Sequence, residues 1–177
     1  LAASTALAAA AILPGAAQAQ TRWQVASAYP DGNFHTRNLR TFIEAVQTAS
    51  GGRLQIQLHS NASLLRMPEI KRGVQTGQAQ MGEILLSAYG NEDPFFEVDS
   101  VPMLVTSTAM ARKLADLQKQ YVEARFQRQG LSLLYWVPWP PSGLYTNVPV
   151  ESVETLRGTK MRTFNALTNR FATLAGA

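Results

Sequence analysis

The sequence predicts an α/β protein with a mostly parallel sheet and helices on both of its faces. Three observations carry this. Strand-like and helix-like segments alternate in a regular order from Thr21 onward, the pattern of βαβ units. At 46% hydrophobic and 16% charged, 177 residues hold enough apolar material for a sizeable core. The 12 glycines and 9 prolines are an average share, which excludes collagen-like repeats and a disordered chain.

The elements follow in order. Leu1 to Ala19 is uncharged and mostly alanine, and ends in Ala16-Ala17-Gln18-Ala19, so it is expected to be the remnant of a secretory signal peptide cleaved before Gln20. Arg22 to Ala28 is β-compatible, and Tyr29-Pro30-Asp31-Gly32 reads as a turn. Phe34, Leu39, Phe42, Ile43, Val46 and Ala49 then fall at helical spacing, with Asn33 as cap and Gly51-Gly52 as stop. Arg53 to His59 alternates with Leu54, Ile56 and Leu58 on one face, a second strand. Pro68 opens a short helix with Ile70 and Val74 inward and Gly77 as stop. Gln80 to Leu86 is expected as a third strand. Thr106 or Ser107 caps a long helix with Met110, Leu114, Leu117 and Tyr121 inward, and Leu131 to Val137 reads as a buried strand.

Beyond Val137 the character changes, because Pro138, Pro140 and Pro141 stiffen a segment that also carries Trp136, Trp139 and Tyr145. A crossover between two lobes is expected there. Gly143 to Asn147 and Thr159 to Thr163 are expected as strands, Ser152 to Leu156 as a one-turn helix, and Ala166 to Leu174 as a last helix. The expected division is 1–19 signal remnant, 20–138 first lobe, and 139–177 crossover with the start of a second lobe.

Several chemistries are excluded. Cysteine is absent, which removes disulfides, thiolate zinc sites, iron–sulfur clusters and thiol nucleophiles together. Gly77 and Gly82 have phosphate-loop spacing, but Glu83 and Ile84 stand where Lys and Ser or Thr are needed. The two histidines, His35 and His59, lack a second imidazole at ligand spacing and read as surface residues, so no metal or other cofactor is expected. The net charge of +4 is a mild excess. On the long helix Arg112 and Lys119 each precede an acid by four residues, the pattern of a solvated face rather than of nucleic-acid contact. The residues themselves leave open a binding protein, a secreted hydrolase-like enzyme in which Glu83 or Asp93 works with His35, and a periplasmic interaction protein.

The last third carries a more specific signal. Glu151-Ser-Val-Glu-Thr-Leu-Arg-Gly-Thr-Lys-Met-Arg162-Thr-Phe-Asn165, closing on Leu174-Ala-Gly-Ala177, resembles the "ADLKGLKIR…N…GA" segment of the periplasmic solute receptors of tripartite ATP-independent (TRAP) transporters. Ser50-Gly-Gly-Arg-Leu54, Val74-Gln-Thr-Gly77, Ala79-Gln-Met-Gly82 and Val101-Pro-Met-Leu104 support it in the family's order, over essentially all of the chain after Trp23. The resemblance implies a periplasmic-binding-protein-like clamp of two α/β lobes, here the first lobe and the start of the second. Such a clamp captures a small organic anion, C4-dicarboxylates among the candidates, and delivers it to TRAP membrane subunits with only transient contact at the membrane. It also implies a periplasmic location, no catalysis and no nucleic-acid partner.

The resemblance assigns the carboxylate salt bridge to Arg162 and a pocket hydrogen bond to Asn165. The alternation of Thr159, Met161 and Thr163 with Lys160 and Arg162 independently puts the cations on one side. A guanidinium offers a carboxylate two parallel N–H donors. Asn165 also stands where it can cap the helix from Ala166. Some receptors of the family, the sialic-acid type among them, have a further arginine where this chain has Pro141-Ser142-Gly143, whereas Trp136, Trp139 and Tyr145 suggest a bulkier apolar wall. Ligands of α/β proteins sit at the carboxyl ends of strands, which makes Tyr29, after the first strand, and Glu83, in the third, further candidates.

Overall fold

The computed structural model describes residues 20–177, so the expected signal remnant lies outside the described residues. Strand β1 (Thr21–Ser27), helix α1 (Phe34–Ala49), β2 (Leu54–His59), α2 (Met67–Gln75) and β3 (Met81–Glu83) follow one another, and the strands form a parallel sheet in the order β2-β1-β3. From Thr21 to Glu83 the alternating order read from the sequence is therefore the order observed.

Period-2 placement sorts the two faces. Val25 on β1, Ile56 on β2 and Met81 on β3 pack with Leu39 and Ile43 of α1, while Ala26 lies with Ile70 of α2 and Ala79 in a separate cluster. Helix α1 starts where Asn33 accepts a hydrogen bond from the His35 N–H at 2.8 Å, and ends at Gly51 and Gly52, whose φ values of 60° and 76° suit residues without a Cβ. Helix α2 comes so close to the sheet that a Cβ built on Gly82 would lie 2.4 Å from Cγ2 of Ile70 and 3.1 Å from Cγ2 of Val74. Gly82→Val is therefore expected to lower the unfolding free energy by about 1–3 kcal/mol, read as a fall in the urea midpoint.

A second core joins Tyr89 and Phe96, from 3-10 turns at Leu86–Tyr89 and Pro94–Ser100, to Val122 and Phe126 of α3 (Thr108–Gln127). Ser107 caps α3, accepting from the Met110 N–H. A 3-10 turn at Val153–Leu156 and α4 (Ala166–Ala175) close the chain, tied together by the Gly158 N–H donating to the Gly176 carbonyl at 2.7 Å. No helix among the described residues is long and apolar enough to cross a membrane.

Several local expectations are overturned. On α3 the inward stripe is Gln118, Val122 and Phe126, whereas Leu117 is 70% exposed and Met110 and Tyr121 are also exposed. The reason is the neighbour: α3 packs against the Pro94–Ser100 turn, where Gln118 Nε2 donates to the Phe95 carbonyl at 3.1 Å and the Tyr121 hydroxyl donates to Asp93 at 2.7 Å. The third strand is only Met81–Glu83. Residues 131–137 are not a strand: Leu131, Leu133 and Trp136 pack on the second core without joining a ladder. Residues 143–147 and 159–163 likewise pair with no strand among the described residues. Apolar or alternating side chains are necessary for a strand, but a ladder also needs a free backbone edge beside it.

Candidate functional site

The topology itself marks a position. β1 is central, its connection leads to β2 on one side, and β3 flanks the other, so the carboxyl ends of β1 and β3 border the crevice in which open parallel sheets hold ligands. The last residue of each strand, Ser27 and Glu83, are register partners. The Ser27 hydroxyl donates to the Glu83 carboxylate at 2.6 Å and accepts from the Tyr29 N–H at 3.3 Å. Burial pushes the Glu83 carboxyl above the usual carboxylate range, opposed by the Ser27 hydrogen bond.

The loop after β1 is held from both sides. Asn61 and Ala62, in left-handed conformations with φ of 56° and 55°, donate their N–H groups to the carbonyls of Tyr29 and Ser27. The Ser60 hydroxyl and the Arg40 guanidinium bind Asp31. This holds the Tyr29 ring in place, 5.6 Å from the stacked His35 ring and 5.3 Å from the Trp139 ring, which meets it edge-on. Trp139 also packs against His35 at 4.3 Å and Phe34 at 5.2 Å. Burial pushes the Tyr29 hydroxyl up to about 12, with a further push from the Glu83 charge; Trp139 pulls the other way without closing a hydrogen bond of good geometry. Tyr135 is raised by burial and then by Glu83.

Three of the five expected site residues, Tyr29, Glu83 and Trp139, thus converge at the ends of β1 and β3. Arg162 lies in the irregular segment before α4, exposed between half-buried Met161 and Thr163, and makes no ion pair among the described residues. Asn165 caps α4: its Oδ1 accepts from the Thr168 N–H at 2.8 Å, and its Nδ2 donates to the Ser100 hydroxyl at 3.1 Å. No hydrogen bond or ion pair joins Arg162 or Asn165 to the Tyr29 group among the described residues.

The expectation that His35 is a surface residue is overturned, since it is 3% exposed and burial holds its imidazole below its ordinary pKa. No local signal marks it: His35 stands two residues after the capping Asn33, and Trp139, which packs on it, is more than a hundred residues away. Among the described residues no group of three or more His, Asp or Glu is placed to hold a metal ion. A hollow of about 580 Å³ on α3, lined by Thr108, Ala109, Arg112, Lys113 and Asp116, is wide open and holds none of the candidate residues.

Known proteins resemble this chain in sequence and in fold. The sequence pattern of the bacterial extracellular solute-binding proteins of family 7 (DctP) matches residues 25–177. DctP6, an extracytoplasmic solute receptor of Bordetella pertussis that binds pyroglutamic acid, is 45% identical and superposes with a TM-score of 0.86 over 88% of this chain and 52% of its own. A marine metagenome TRAP solute-binding protein specific for pyroglutamate is 38% identical, with a TM-score of 0.84 over 89% of this chain and 52% of its own. A solute-binding protein of Albidiferax ferrireducens is 27% identical over 137 residues, 75% of this chain and 39% of its own. The two-lobed receptor fold is thus matched over about half of its length. The family and these neighbours are solute receptors, not enzymes. The chain belongs to the bacterial extracellular solute-binding proteins of family 7.

Proposed function

We propose that the protein is the extracytoplasmic receptor of a TRAP transporter and captures a small organic acid in a cleft between two lobes. The observation that carries this is the convergence of Tyr29, Glu83 and Trp139 at the carboxyl ends of β1 and β3, in a family of solute receptors. In this reading Trp139 and Tyr29 form an apolar wall that excludes water. Arg162 binds the carboxylate through two parallel N–H donors, a charge-assisted pair worth about 1.5–3 kcal/mol. Asn165, three residues on and beginning α4, adds a hydrogen bond while keeping its capping role. Residues 20–138 form one wall of the cleft and residues 139–177 the crossover and the start of the other. The pyroglutamate bound by relatives of 38–45% identity is a small organic acid of this kind. Residues 1–19 act as the export signal, the mature protein works in the periplasm, and the loaded clamp hands its cargo to membrane subunits.

A thermal-shift screen of the full-length protein tests this with pyroglutamate, 2-oxo acids, aromatic acids and C4-dicarboxylates. A cognate acid at a hundred times its Kd is expected to add about 2.7 kcal/mol and raise Tm by several degrees. A flat response across all four classes would overturn the receptor reading.

A further inference from the structure

Among the described residues a single hydrogen bond crosses from residues 139–177 to residues 20–138. Nδ2 of Asn165 donates to the Ser100 hydroxyl at 3.1 Å, in a half-buried contact 65 residues apart in sequence. The other hydrogen bonds of residues 139–177 stay within that segment, and none of the ion pairs reaches it. The bonding around Asn165 fixes which way its carboxamide faces. Oδ1 accepts from the Thr168 N–H at 2.8 Å as the cap of α4, so the Nδ2 end is the donor end. Ser100 gives its own proton to Oδ1 of Asp99 at 3.3 Å, which turns a lone pair of its Oγ to Asn165. One N–H of Nδ2 meets that lone pair, and the second has no partner among the described residues.

We propose that Ser100 is a positioning residue for ligand capture: it clasps α4 to the Pro94–Ser100 turn so that the remaining Nδ2 N–H of Asn165 faces the carboxylate held by Arg162. This rests on the receptor reading above, which gives Asn165 its ligand hydrogen bond, and adds what keeps that donor in register with the first lobe. Two restraints act together. The cap fixes the amide relative to α4, and the bond to Ser100 fixes α4 relative to the turn. A ligand held between two walls must meet the groups of both at once, and a donor already in place does not have to be ordered on binding. Ser100 stands on a firm support, because its turn is fastened to α3 by Gln118 bonding the Phe95 carbonyl, by Tyr121 bonding Asp93, and by the burial of Phe96. The fold of α4 does not depend on the clasp. Its end is tied to the Val153–Leu156 turn by the bond from Gly158 to Gly176, and its start is capped by Asn165 within the helix itself.

Calorimetric titration of the full-length protein tests this, with the acid that raises Tm most in the screen above as probe. Ser100→Ala is expected to weaken binding about fivefold, and Ser100→Thr, which keeps the hydroxyl, to hold affinity within about twofold of the unsubstituted protein. Asn165→Ser keeps a capping oxygen and removes both N–H donors of Nδ2. In that background Ser100→Ala is expected to cost nothing further, because the group it positions is gone. A Ser100 that served only the fold would cost the same factor in both backgrounds and lower the Tm of the free protein. That equality, or unchanged affinity in Ser100→Ala alone, overturns the clasp and leaves the receptor reading standing. Absence of any response of the unsubstituted protein across the screen overturns the receptor reading and the clasp with it.

Discussion

Arg162→Ala is expected to abolish measurable capture of the cognate acid while leaving the fold intact. Arg162 is exposed in an irregular segment and forms no ion pair among the described residues, so its removal takes nothing from either core. Surface substitutions of this kind usually change stability by no more than about 0.5 kcal/mol. The ligand's loss is of another size. Once the cleft is shut, a carboxylate without its guanidinium is a desolvated charge with no counterion, and truncating one partner of such a pair costs about 2–5 kcal/mol, roughly 30-fold to several-thousand-fold in Kd. Arg162→Lys should fall between the two, since an ammonium keeps the charge but not the parallel pair of donors. Calorimetric titration with Tm of the free protein separates the effects. Unchanged affinity would remove Arg162 from the site; a large fall in Tm would give it a structural role instead.

Phe96→Ala carries the largest expected cost in stability. Phe96 is 1% exposed, meets Phe126 edge-on at 5.8 Å between ring centroids, and joins Tyr89 and Val122 in the core that fastens the Pro94–Ser100 turn to α3. Truncation removes the transfer energy of the ring and leaves a cavity that a turn packed on a helix closes only in part, about 3–5 kcal/mol in total. That is a large share of the roughly 5–15 kcal/mol that holds a typical protein folded. Its neighbour Phe95 is 36% exposed and serves as the control: Phe95→Ala should cost much less. Guanidinium unfolding reads both, and a loss under about 1 kcal/mol at Phe96 would show that this second core contributes little.

The candidate site was legible where it depended on local geometry. Tyr29 after the first strand follows from the rule that parallel sheets hold ligands at their carboxyl edge, and it lies there; Glu83, expected inside a longer strand, comes to the same edge because β3 stops at Glu83. Trp139 stood out by composition alone, in a proline-rich stretch with no periodicity, and nothing nearby in sequence shows that it covers His35 and Tyr29 from more than a hundred residues away. His35 was hidden for the same reason. A lone histidine reads as surface, and the rings of Phe34, Tyr29 and Trp139 packed around it are what bury it.

The sequence by itself determined the order of elements from β1 to β3, the caps at Asn33 and Asn165, and the start of α4. Each depends on spacing of 2 or 3.6 residues, or on a side chain bonding a backbone N–H two or three positions along, and such interactions are complete within a few residues. Tertiary structure alone decided which stripe of α3 turns inward, and that residues 131–137 and 159–163 stay out of the sheet. It also brought Tyr29, His35, Glu83 and Trp139 together. Burial and strand pairing are properties of two surfaces in contact, and a side-chain pattern on one of them does not say where the other will be.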